Sequence, residues 1–83
     1  MLDKKIEKAL NEQINKEMYS AYLYMAMSAD TTHKGLDGFA NWFMVQYQEE
    51  MEHAMRIYNY IKEQGGKVIL DEIIQQPSSF DDP

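Results

Sequence analysis

Eighty-three residues suffice for one small domain, and 14 acidic against 8 basic residues give a formal net charge of −6. That balance argues against nucleic acid and anionic lipid as partners and favours cations. No cysteine is present, which excludes disulfides and thiolate metal sites. A hydrophobic content of 45%, with six Tyr, three Phe and one Trp, excludes disorder and requires a real core.

The N-terminal stretch MLDKKIEKALNEQ carries charges where a signal peptide would be apolar. No apolar run approaches the roughly 20 residues that span a bilayer. The expectation is a soluble, cytoplasmic protein with no membrane partner.

Residues 3–32 contain neither Pro nor Gly and are rich in Lys, Glu, Ala, Leu and Met, which predicts a first helix. Ile6, Leu10, Ile14, Met18, Ala21, Met25 and Ala29 recur three or four apart and form its apolar stripe. His33, Lys34 and Gly35 are a C-terminal stop, and Asp37 is placed to cap the next helix. The second helix is predicted over 37–64, with Phe39, Phe43, Gln46, Glu50, His53, Ile57 and Ile61 on one face until Gly65 and Gly66 end it. So short a connection makes the helices antiparallel neighbours. The tail, 67–83, passes from β-branched VILDEII to Pro77, Ser78 and Ser79. It reads as an extended segment lying along the helices, with a short strand as the alternative.

Ionisable residues inside the apolar stripes are the anomaly. Glu17 has no Lys or Arg one turn away on either side, and Glu50 and His53 project together at i, i+3. By contrast Glu12 has Lys16 and Glu52 has Arg56 four residues on, the ordinary exposed pairing. Burying an unpartnered carboxylate costs several kcal/mol, so a cation is called for beside Glu17 and Glu50. Counted from the turn, Glu17 lies about 17 residues before it, and Glu50 and His53 about 16 and 18 after it. All three therefore sit roughly 25 Å from the turn, at one level. Oxygen and nitrogen donors without sulfur suit iron, with manganese the second metal such a set fits. The bland alternative is a surface Glu–His pair and a half-exposed glutamate.

Three ligands do not fill an octahedral ion, and a lone hairpin leaves much of its apolar face open. Two copies about a twofold axis supply two Glu17, two Glu50 and two His53. That is the ligand list of a ferritin-like di-iron bundle, a Glu from each of two helices and a Glu-x-x-His from each of the other two. A homodimer is therefore expected, with higher assembly open.

The stretches NEQINKEMYSAYLYMAMSAD and GLDGFANWFMVQYQEEMEHAMRIYNYIKEQGGKV resemble the first half of a bacterial or archaeal non-haem ferritin, helices A and B with the start of the crossover. The resemblance covers essentially all of residues 1–83 as a single half-domain. It implies an all-α fold, a two-helix hairpin that dimerises into a four-helix bundle. It also implies a ferroxidase that oxidises ferrous iron with dioxygen, two irons per dimer, and iron storage within a shell. Carried over residue by residue, Glu17 is a terminal ligand, Glu50 a bridging carboxylate and His53 a terminal nitrogen ligand. Tyr24 lies beside the iron pair as an electron donor, and Glu49 serves a neighbouring third iron position. Passive metal binding, or a purely structural helical module, are the alternatives. His33 reads as a helix-end cation and Gln46 as a neighbour of Glu50.

Overall fold

The structure, a computed structural model, describes residues 2–80. Two helices form an antiparallel hairpin, α1 over Lys4–His33 and α2 over Asp37–Glu63. The bounds lie within one residue of the expected 3–32 and 37–64. The hairpin measures 50 × 20 × 13 Å, the length of a helix of about 30 residues. Among the described residues there is no strand.

Three of the four helix ends are closed by local chemistry. Asp3 caps α1, its Oδ1 accepting the Lys5 N–H at 2.7 Å. At the other end the Leu36 N–H donates to the Thr31 carbonyl at 2.8 Å while Gly35 takes φ +78°, which a residue with a Cβ adopts at a cost. The end of α2 repeats the device: Gly66 N–H donates to the Ile61 carbonyl at 2.8 Å, with Gly65 at φ +74°. The start of α2 differs from expectation. Leu36 is the capping residue and makes no side-chain hydrogen bond; Asp37 is already helical. Its charge still favours the positive end of the helix, without capping it.

The buried residues of the two helices mix small side chains with a few large ones. Ile14, Ala21, Ser28 and Thr31 of α1 and Ala40, Phe43, Ala54 and Ile61 of α2 are buried. Near the turn, the Ser28 hydroxyl donates to the Ala40 carbonyl at 2.8 Å, tying the helices together where side chains are shortest. Of the residues assigned to the apolar stripes, Ile6, Met25, Ala29, Phe39 and His53 are instead exposed, as are Trp42 and Tyr60. Trp42 packs edge-on against Phe43, with ring centroids 5.3 Å apart.

Beyond α2 the chain doubles back along α1. The Asn11 amide donates to the Lys67 carbonyl at 3.0 Å and accepts the Ile69 N–H at 2.8 Å, and Glu7 accepts the Lys67 N–H at 3.1 Å. At the far end Asp30 accepts the Phe80 N–H at 3.2 Å, and the Lys34 ammonium donates to the Phe80 carbonyl. From Asn11 to Asp30 the helix rises about 28 Å. The residues from Ile69 to Phe80 reach about 36 Å fully stretched, so this strap is nearly extended. Its anchors are helix side chains and not a neighbouring strand. Positions 81–83 of the expected tail lie outside the described residues.

Candidate metal centre

Glu17 and Glu50 approach from opposite helices at one level because the connection between α1 and α2 is only three residues long, and each is followed one turn on by a buried alanine, Ala21 and Ala54. His53, one turn beyond Glu50, completes the group. One ligand atom from each of Glu17, Glu50 and His53 lies within 4.8 Å of the other two. His53 Nδ1 stands 3.6 Å from Glu17 Oε2 and 4.0 Å from Glu50 Oε2. Those gaps exceed a direct hydrogen bond. They fall in the range set by an octahedral ion with bonds of ~2.1 Å, whose ligand atoms stand about 3.0 Å apart when adjacent and about 4.2 Å when opposite.

The electrostatics agree with the spacing. Among the described residues no Lys or Arg pairs with either carboxylate; Lys34 is taken by Asp30, at 2.8 Å. Hydrogen bonding between the two carboxyls holds Glu17 below the usual carboxylate range, helped by the Gln13 amide and by His53. The same contact pushes Glu50 up, reinforced by burial and by the charges of Glu17 and Glu49. The two acids thus conflict, Glu17 losing its proton below the ordinary range and Glu50 above it. A dication in their midst would remove that conflict.

Of the five residues singled out from the sequence, three converge. Glu49 is exposed on α2 next to Glu50 and is not among the three clustered groups. Tyr24 is half-buried and tilted against Phe43, with ring centroids 6.4 Å apart; it lies two turns from Glu17, about 10 Å along the helix. Gln46 is half-buried and His33 is exposed. Gln13, one turn before Glu17, was given no role from the sequence; its Nε2 donates to Glu17 Oε1 at 2.8 Å. Its signal was present, since a Gln four residues before a Glu is in reach on a helix.

A two-helix hairpin with a Glu on one helix and a Glu-x-x-His on the other, all at one height, belongs to the ferritin-like class of helical carboxylate proteins. The profile of the Ferritin family, a ferritin-like domain, matches residues 7–83, and the chain belongs to that family. It is 47% identical over 73 residues to a bacterial non-heme ferritin of Staphylococcus epidermidis, covering 88% of this chain and 44% of that protein. Against the bacterial non-heme ferritin of Bacteroides fragilis it is 41% identical over 83 residues, covering 100% of this chain and 52% of the other. An engineered closed form of the Archaeoglobus fulgidus ferritin superposes with a TM-score of 0.94 at 46% identity, over 100% of this chain and 51% of that one. The open-pore ferritin of the same archaeon gives the same score and identity. The chain spans about half the length of these relatives.

Proposed function

We propose that this chain binds ferrous iron at Glu17, Glu50 and His53 and that a second copy, contributing the same three residues, completes a di-iron ferroxidase centre. The observation that carries the reading is the convergence of two carboxylates and an imidazole within 4.8 Å, with no lysine or arginine among the described residues paired to either acid. Iron is here the substrate, and manganese is the second ion the donor set fits.

The chain's own groups have separable tasks in this scheme. Glu50 would bridge two ions. Glu17 and His53 each hold one ion. Two ferrous ions would supply one electron each, so that dioxygen, with two protons from water, is reduced to hydrogen peroxide, and carboxylates would shift between one and two bonds as the ionic charge rises. Tyr24 is the residue proposed to supply a further electron from two turns away, and Glu49 the ligand of a third ion passing to or from the pair. Iron storage and assembly into a shell, as the resemblance implies, remain proposals for a chain half the length of its relatives, as does a cytoplasmic setting. No helix of the described residues is long and apolar enough to cross a membrane.

A second copy is supported by what the hairpin leaves uncovered. Phe39, Trp42 and Tyr60 are 51%, 54% and 47% exposed, and with Gln46 and His53 they are spaced to lie on one side of α2. An apolar side flanking an incomplete ligand set is the side on which a partner would both bury surface and add donors.

The test is aerobic addition of ferrous iron, followed by ferric absorbance, with native mass spectrometry counting chains and ions. The parent should oxidise iron and hold two ions per pair of chains; Glu50→Ala should do neither. Equal oxidation rates for the two proteins would overturn the proposal. Binding of two ions without accelerated oxidation would reduce it to passive metal binding.

A further inference from the structure

We infer that Gln13 is a positioning residue for the iron cluster, fixing the Glu17 carboxylate so that one oxygen is held by the protein and the other is presented to the metal. The inference rests on the iron-binding reading above and adds a residue to it. Gln13 Nε2 donates to Glu17 Oε1 at 2.8 Å, whereas it is Oε2 that faces His53 Nδ1 at 3.6 Å. The two oxygens of one carboxylate are thus divided between two partners. An ionised carboxylate only accepts, so the nitrogen of the Gln13 amide must be the atom that faces it.

The choice of an amide follows from charge. A glutamate side chain turns about three torsions, and an ion-binding carboxylate left free of a partner must be ordered each time a metal arrives. Lysine at position 13 would order it as well, but its ammonium would compete with the incoming cation for the same oxygens. The glutamine hydrogen bond orients Glu17 and leaves its negative charge for the metal. With Oε1 engaged, Glu17 is directed toward bonding through Oε2 alone. The hydrogen bond itself is solvent-exposed and lies within one helix, where such pairs contribute only a few tenths of a kcal/mol to folding. Its removal should therefore leave the fold and change the metal.

Cobalt(II), an air-stable stand-in for ferrous iron with a visible spectrum, reports both affinity and geometry. The 83-residue chain, Gln13→Met, Gln13→Asn and Glu50→Ala are titrated with it, and each is unfolded thermally without metal. Met keeps length and helix propensity but has no donor; Asn keeps the amide but is one methylene too short. The expected result is metal-free unfolding curves that overlay the parent for both Gln13 variants. Their cobalt affinity should be lower by about tenfold or more, with an altered visible band. Parent-like affinity and band in Gln13→Met, with binding lost in Glu50→Ala, would overturn the inference and leave the iron site standing. Loss of metal-free stability in both Gln13 variants would also overturn it, because the residue would then be structural. A parent chain that binds no cobalt overturns the site and the inference together.

Discussion

Glu17 and His53 meet across the hairpin, Oε2 to Nδ1 at 3.6 Å, beside the buried alanines Ala21 and Ala54. Ala21, 1% exposed, lies one turn beyond Glu17. Replacing it with Leu puts extra methylenes into a filled contact, at a cost of about 1–3 kcal/mol, and spreads the two acids apart. Urea unfolding should show the loss, and ferrous or cobaltous ions should stabilise Ala21→Leu far less than the parent. A variant that metal stabilises as strongly as the parent would separate the cluster from this contact.

Glu50 costs the metal-free fold stability at neutral pH. Its carboxyl is held above the usual 4.5, chiefly by its hydrogen bond with Glu17. The folded state therefore binds more protons than the unfolded chain between 4.5 and the raised value, and stability falls as pH rises through that window. Glu50→Gln keeps the shape without the charge, so without metal it should be the more stable protein at pH 7, by a few tenths of a kcal/mol. With metal the order should reverse. A site filled at 100 times its dissociation constant gains about 2.7 kcal/mol, which the variant forgoes. Paired thermal melts, with and without cobalt, check both halves.

Asp30 should release the end of the strap in acid. Lys34, 2.8 Å away, holds its carboxyl below the usual 3.8, with the Phe80 N–H adding to the effect. A lowered carboxyl contributes stability that is present in full above 3.8 and is lost as pH falls through the folded value. Hydrogen exchange at the Phe80 amide should accelerate over that range in the parent. In Asp30→Asn it should already be fast at pH 7. Exchange that is slow and unchanged down the titration would detach Phe80 from Asp30.

Asn11 should matter more than an ordinary half-buried asparagine. Its amide makes two bonds to the backbone of the strap, at Lys67 and Ile69, each worth about 0.5–1.5 kcal/mol when protected. Asn11→Ala should lose roughly 1 kcal/mol in urea and expose the Ile69 amide to exchange, while Asn11→Asp should retain the bond from Ile69 and lose the one to Lys67. Unaltered protection at Ile69 in the alanine variant would contradict this.

What could be read from the residues follows their range of action. Helix periodicity acts over three or four positions, and so the hairpin and the common height of Glu17, Glu50 and His53 were accessible without coordinates. The width of the buried stripe was not, because it depends on how near the partner helix comes. Ala21, Ala40 and Ala54 are buried, while the larger Ile6, Phe39 and Met25 are left exposed. The strap was legible as extended, whereas its anchors were not: Asn11 and Lys67 share no pattern, and only the folded chain brings them together. Leu36 took the capping position expected of Asp37 because the turn ends one residue sooner.

The strap runs along the side of α1 that carries Glu7, Asn11 and Asp30, while Glu17 looks toward α2. Among the described residues the strap is anchored away from Glu17, so an ion's capture at the hairpin need not wait for the strap to move. Arrival should be set by diffusion and by the pull of an acidic surface, and should slow as added salt screens that pull.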